Sequence, residues 1–369
     1  MVPLFSWAAN GLLTNCRYAR GAMKRASLLF AVLSAVSLCA CEPEVTIRQA
    51  DVDQALEENR LGDAQRALEA LRRSNGPSQE SSWLLAQVMI DRGDGFRAER
   101  YLDDIIDQNT ARWVTLRGQA LILQGSPGRV RSLVDAYKGD EPEDGVHDWL
   151  RVWAAMEEGR VEEAEALVDT ALRAHPQSAP LHAKAAQLSV WRGNWGAADR
   201  HIAEALAADP QTYEARLLQG ESFIARGDLE GALASYRATT QMFPDFAVAR
   251  ANVAGLLLDL QRLDEAEAVI GQSLAQHPDF ALLHFQMARA QALRGQWTMA
   301  RETMQRLPRE WKRDFPAATL LEGEIEAALG NHAMARTLYA GLVDDPRFAE
   351  PAADLLIRLH LEPLAKSND

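Results

Sequence analysis

Short apolar runs spaced at i, i+3, i+4 and i+7 come in pairs along most of the chain, each pair parted by a turn that carries glycine. Such runs predict amphipathic helices joined as hairpins. The hairpins keep step, because an alanine returns every 34 residues at Ala164, Ala198, Ala232, Ala266 and Ala300. Pro176, Pro210, Pro244 and Pro278 hold the same interval, as do Gly159, Gly193, Gly227 and Gly295, with Gln261 where a further glycine belongs. Outward from these the alanine marker continues less regularly as Ala67, Ala98, Val130 and Ala335, which gives about nine repeats. A fixed interval of this size predicts a solenoid of helix pairs, stable only through stacking on neighbours.

Each marker has a physical role. Small residues let the two helices of a hairpin approach closely, glycine enters a turn conformation that a Cβ disfavours, and proline cannot continue the helix it follows. Counting from the alanine as position 20, the small residue at position 8 is Ala86, Gly118, Val152, Ala186, Gly220, Ala254, Ala288 and Gly323. Position 24 is Leu102, Val134, Val168, Ile202, Tyr236, Ile270, Met304 and Tyr339. This pattern resembles the tetratricopeptide repeat (TPR). The resemblance implies an all-α, right-handed superhelical solenoid of about nine helix-turn-helix repeats over residues 48–346, a capping helix over 347–361 and a tail over 362–369. The first pair is expected from about Ala50 to Arg73, around Gly62 and Ala67. Two stretches break the rhythm, Tyr137 to Asp148 and Pro308 to Pro316, and read as a hinge, a contact loop or a longer inter-repeat loop.

The N-terminus has a different logic. From Met23 the chain reads Met-Lys-Arg, an apolar run from Ala26 to Ala40, and then Cys41. A basic start before a brief hydrophobic stretch describes a secretory signal, too short for a permanent membrane span. Leu38-Cys39-Ala40-Cys41 resembles the lipobox of bacterial lipoproteins. That resemblance implies a signal peptide over 23–40, lipid attachment at Cys41, a tether over 41–47 and anchoring by several acyl chains. Glu42 after the cysteine favours the outer membrane facing the periplasm, with the inner membrane as the alternative. Residues 1–22 fit no part of the signal and read as an upstream extension, with Met23 as the start.

Composition narrows the functions. The formal net charge is −13, and it becomes −17 once the four basic residues before Cys41 are removed, which argues against nucleic acid. All three cysteines lie at or before Cys41, so the remaining chain has no disulfide framework and no thiolate metal site. No P-loop, GxGxxG, GxSxG or HExxH stands in the sequence, and neither cofactor nor metal is implied. The histidines fall into the repeat register, His182 and His284 both at position 4, which marks them as structural.

What remains is a surface. In TPR proteins the concave face is built from positions 2, 5, 9, 12 and 13 of the first helices. Mapped here, those positions include Trp83, Gln87, Trp149, Trp153, Trp191, Leu217, Glu221, Phe285 and Arg289, the candidate partner-binding groove. They also include Ile90, Ile122, Met156, Val190, Ile224, Leu258 and Asp259. Tryptophan is enriched at binding hot spots, and Trp149, Trp153 and Trp191 are expected close together. The alternative is that these rings complete inter-repeat packing. The Lys/Asn clamp of chaperone-binding relatives is absent. The expectation is a non-enzymatic scaffold for protein or peptide partners in bacterial envelope assembly or export. The repeat phrasing looks most like the TPR lipoproteins of exopolysaccharide and PEP-CTERM systems. A periplasmic glycan- or peptide-binding module using the aromatic groove is the alternative.

Overall fold

A computed structural model describes residues 49–139, 142, 144–344 and 348–365. Cys41, the signal, the tether and the upstream extension therefore lie outside the described residues, as do residues 366–369. Every regular element among the described residues is a helix. They divide after Arg160 into two compact units.

The N-terminal unit holds the helices α1 (Gln49–Glu57), α2 (Leu61–Asn75), α3 (Gln79–Asp91), α4 (Gly95–Asp103), α5 (Ala111–Leu123), α6 (Pro127–Ala136) and α7 (Val146–Glu157). The C-terminal unit holds α8 (Val161–Ala174), α9 (Ala179–Trp191), α10 (Trp195–Ala208), α11 (Tyr213–Ala225), α12 (Leu229–Met242), α13 (Ala247–Asp259) and α14 (Leu263–Gln276). It continues with α15 (Ala281–Leu293), α16 (Trp297–Gln305), α17 (Arg309–Asp314), α18 (Pro316–Ala328), α19 (His332–Ala340) and α20 (Ala349–Ala365). None of these helices is long and apolar enough to cross a membrane.

Within each unit consecutive helices pack as antiparallel hairpins, and the first helices of successive hairpins also touch one another. First helices are consequently apolar almost all round. In α13 nine residues are buried, Ala249 and the run from Ala251 to Leu258. Second helices bury one stripe only, as in α14 with Ala266, Ile270 and Ser273. The marker alanines lie fully inside this packing, with Ala98, Ala164, Ala198, Ala232, Ala266, Ala300 and Ala335 all at 0% exposure.

The first repeat corrects the sequence register. Gly62 lies inside α2, and the turn residue is Asn59, at φ 51°. Asparagine is the side chain that tolerates this left-handed region best, so no glycine is needed. The true marker is Ala64, fully buried, while Ala67 is 8% exposed. Ala64 to Ala98 is then a full 34-residue step. At the other irregular turn Gln261 itself adopts φ 59° in the glycine's place, which costs roughly 1–2 kcal/mol against a right-handed conformation.

Two polar devices repeat with the hairpins of the C-terminal unit. The side chain at position 4 bonds the carbonyl oxygen of the proline six residues before it. His182 Nε2 is 3.0 Å from Pro176 O, and Arg216 donates to Pro210 O at 2.6 and 2.9 Å. Arg250 donates to Pro244 O at 2.8 Å, and His284 Nε2 lies 2.6 Å from Pro278 O. Proline ends the preceding helix and leaves this carbonyl without a helical partner, so a donor reaching back satisfies it. The second device joins neighbouring hairpins. Arg192 meets Glu165 at 2.8 Å, Arg226 meets Asp199 at 2.7 Å and Arg294 meets Glu267 at 3.0 Å, always from position 14 to position 21 of the preceding repeat. These pairs face solvent and are screened, so they favour one alignment of the stack more than they stabilise it.

At two repeats side-chain size at positions 8 and 24 is coupled. Where position 24 is tyrosine, position 8 is glycine. A Cβ on Gly220 would stand 2.4 Å from Tyr236 Cε1, and one on Gly323 would stand 2.3 Å from Tyr339 Cε1. Gly220→Ala is expected to destabilise by about 1–3 kcal/mol through overpacking. Adding Tyr236→Leu should make the double variant more stable than the two single costs sum to, by about 1 kcal/mol or more in a double-mutant cycle on thermal or urea unfolding.

Candidate inner-face binding site

The inner row of first helices carries the predicted groove residues, and the structure sorts them into three kinds. The position-12 residues are core. Ile90, Ile122, Met156, Val190, Ile224 and Leu258 are all at most 8% exposed, which corrects their assignment to the groove. The inter-helix seam takes them because first helices are enclosed by their own partner and by the next first helix.

Phe285 and Arg289 are also covered. Phe285 is 2% exposed, and the segment between Pro308 and Pro316 folds over it as α17 instead of forming an open loop. Trp311 and Phe315 pack on Phe285 with ring centroids 6.1 and 5.0 Å away, and on each other at 4.7 Å. Lys312 Nζ ties the same segment to Glu322 at 3.1 Å. Arg289 is drawn inward: Nη2 donates to Asp259 at 2.7 Å and Nη1 to Gln286 Oε1 at 2.9 Å, with side chains 5% and 4% exposed in the ion pair. Gln286 in turn occupies the space beside Gly255, where a Cβ would stand 2.9 Å from its Nε2. Both groove assignments are therefore replaced by a packed, charge-compensated block spanning α13, α15 and α17.

In the N-terminal unit Trp149 is 6% exposed and stacks at a tilt on Trp153, with centroids 4.9 Å apart. Trp153 Nε1 donates to Glu157 at 3.3 Å. Most of the Trp149 ring is spent on packing, so the pair offers one partly open ring and not a broad stacking platform. Trp83 is half-buried beneath the Arg112 guanidinium, 4.7 Å from its centroid, and Gln87 donates to Asp91 at 2.8 Å. In the C-terminal unit Trp191 is 37% exposed, and Leu217 and Glu221 are partly covered.

Glu221 has an unusual setting. It follows Gly220 on α11, beside the ring of Tyr236, and burial pushes its carboxyl up to about 8. Tyr236 is fully buried, and burial together with the neighbouring Glu221 raises its hydroxyl well above the usual tyrosine range. The same Gly-Glu/Tyr arrangement returns at Gly323, Glu324 and Tyr339. There burial pushes Glu324 up to about 7, with the positive Arg289 pulling in the opposite direction. The sequence registered Glu221 by position only. Its crowding depends on a tyrosine 15 residues away in the partner helix.

His182, His201 and His284 serve the scaffold. Beyond its bond to Pro176, His182 meets His201 Nδ1 to Nδ1 at 3.1 Å, and burial followed by the His182 neighbour lowers the pKa of His201. Among the described residues no group of three or more His, Cys, Asp and Glu side chains is arranged to hold a metal ion.

Stacked helix hairpins with small residues at the seam and an inner row of first helices define a helix-pair repeat protein. Family profiles of the tetratricopeptide repeat match residues 52–109, 129–179, 183–245 and 254–315, with another over 223–281. The chain belongs to the tetratricopeptide repeat family. Comparison with curated proteins finds no match. Among solved structures, a chain of the APC/C hetero-tetramer Cut9-Hcn1 is similar at 16% identity and a TM-score of 0.64, over 84% of this chain and 63% of that one. The chain thus spans less than two thirds of that protein. A monomeric mutant of IFIT1 with Gppp-AAAA is similar at 14% identity and a TM-score of 0.51, over 78% of each chain. Pseudomonas aeruginosa pilF is similar at 17% identity and a TM-score of 0.44, over 57% of this chain and 98% of that one. At these identities the likeness is one of fold.

Removing Arg289 leaves Asp259 buried without its cation. Arg289→Ala is expected to cost about 3–5 kcal/mol in urea or thermal unfolding, and replacing both Arg289 and Asp259 with leucine should recover most of that loss.

Proposed function

We propose that this TPR chain is a non-enzymatic scaffold, lipid-anchored in the bacterial cell envelope, that holds a peptide segment or partner subunit of an assembly or export machine. One observation carries the scaffold part: the inner face of the C-terminal unit keeps Trp191 on α9 more than one-third exposed and leaves Leu217 and Glu221 on α11 partly open, while Phe285 further along the row is covered by the α17 segment. An apolar strip with an accessible aromatic ring is the composition of a recognition surface. The matching family profiles are repeat profiles, and repeat scaffolds of this kind bind proteins.

The anchoring part rests on residues 23–41 alone. The basic Lys24 and Arg25, the apolar run and Ala40 before Cys41 have the order in which a secretory signal ends on an acylated cysteine, and Glu42 favours the outer membrane. The formal charge of −13 fits a protein partner better than a nucleic acid. The degenerate repeat phrasing supports, as the finer assignment, an exopolysaccharide or PEP-CTERM-linked system. A glycan-binding module is the weaker reading, because Trp149 is committed to packing.

Two measurements test these parts separately. Cells fed labelled palmitate should label the parent chain and not Cys41→Ala; persistent labelling of the variant rejects the anchor site. A photo-cross-linking residue placed at Trp191 or Leu217 should capture a discrete partner in whole cells, and one at Glu204 on the second-helix surface should not. Equal capture at all three positions rejects the inner face as the binding surface.

A further inference from the structure

We infer that Glu221 is the docking point for a cationic side chain, lysine or arginine, carried by the segment that binds the inner face of the C-terminal unit. The inference rests on the reading of that face as a partner-binding surface and adds the chemistry of its occupant.

The repeated Gly-Glu/Tyr arrangement provides an internal comparison. At the C-terminal copy Glu324 lies within the field of Arg289, supplied by position 9 of the preceding first helix. The fold therefore furnishes a cation of its own beside this carboxyl. At the other copy the equivalent position of the preceding first helix is Gln187. Lys184, on the same helix, reaches Gln187 Oε1 at 3.5 Å and contributes nothing to the electrostatics of Glu221. Glu221 makes no hydrogen bond or ion pair among the described residues, and the only titratable neighbour coupled to it is Tyr236.

The tyrosine adds an independent observation. Its hydroxyl is buried and has no hydrogen-bond partner among the described residues, although the residue is at 0% exposure. A buried polar group left unpaired costs about 1–3 kcal/mol and is ordinarily satisfied. A donor entering beside Glu221 brings what both groups lack. Burial raises the Glu221 carboxyl to about 8, so a charged nitrogen placed against it restores the ionised form at neutral pH, and a remaining N–H is available to the phenolic oxygen. Lysine and arginine fit the approach better than a small cation. Their long apolar stems lie along Leu217, one helical turn before Glu221, while the charged head stays at the carboxylate. A metal ion is disfavoured, since no group of three donors is assembled among the described residues.

The test is a random dodecamer peptide library displayed on phage and selected on the purified full-length chain. The parent should enrich peptides with lysine or arginine at one fixed position within an apolar context. A synthetic copy of the best peptide should bind Glu221→Gln about tenfold or more weakly, and Tyr236→Phe measurably more weakly, with parent-like thermal unfolding for both. Selection on Glu221→Lys should enrich aspartate or glutamate at the same position. Peptides that compete with one another, lose affinity on Leu217→Ala, and yet carry no fixed basic residue or bind Glu221→Gln equally would overturn the inference while leaving the inner face as the binding surface. Failure to enrich any peptide sensitive to Leu217→Ala or Trp191→Ala would overturn the surface reading and the inference together.

Discussion

Two helices can lie against each other at backbone distance only where neither carries a side chain between them. In this chain that close approach is set by Ala98, Ala164, Ala198, Ala232, Ala266, Ala300 and Ala335, none of which exposes any surface. Everything else in the stack follows from it. The hairpin closes, its first helix becomes enclosed on several sides, and its second helix keeps one wet face. The size coupling between Gly220 and Tyr236, repeated at Gly323 and Tyr339, shows the same constraint solved with the bulk moved to the opposite helix.

Much of this was legible in the sequence because the constraint is periodic, and periodic signals survive local exceptions. The exceptions are where reading failed. Gly62 looked like a turn glycine, but Asn59 occupies the left-handed position and Ala64 carries the seam. A search for glycine cannot see an asparagine doing the same conformational task. The groove was read by position, and position says which helix face a residue sits on, not how much of that face neighbours cover. Ile224 and Leu258 were lost to the seam in this way. Phe285 was lost because Pro308 to Pro316, which reads as a break, folds back as a covering helix whose tryptophan and phenylalanine come from outside the repeat register.

The inner row handles charge in two ways. Around α13 and α15, Asp259, Arg289 and Gln286 form a closed set in which each charge has its counterpart. Around α11, a crowded carboxylate stands next to a hydroxyl without a partner. Internal compensation makes structure, because nothing from outside is needed to make burial tolerable. The Glu221 carboxyl has no such internal counterpart. The polar bonds to the proline carbonyls belong to the first category. Histidine and arginine both serve there because either presents an N–H at the right reach.

A stack of hairpins is also a spring, in which each joint contributes its own compliance. The joint between α13 and α15 is riveted: spreading it would bring a buried ion pair into water and pull Phe285 from beneath Trp311 and Phe315. Deformation of the C-terminal unit then goes first to joints held by alkyl packing and solvent-facing ion pairs, such as those around α9 and α11. The section that carries Trp191 and Glu221 is thus the more compliant one, with a rigid block immediately downstream.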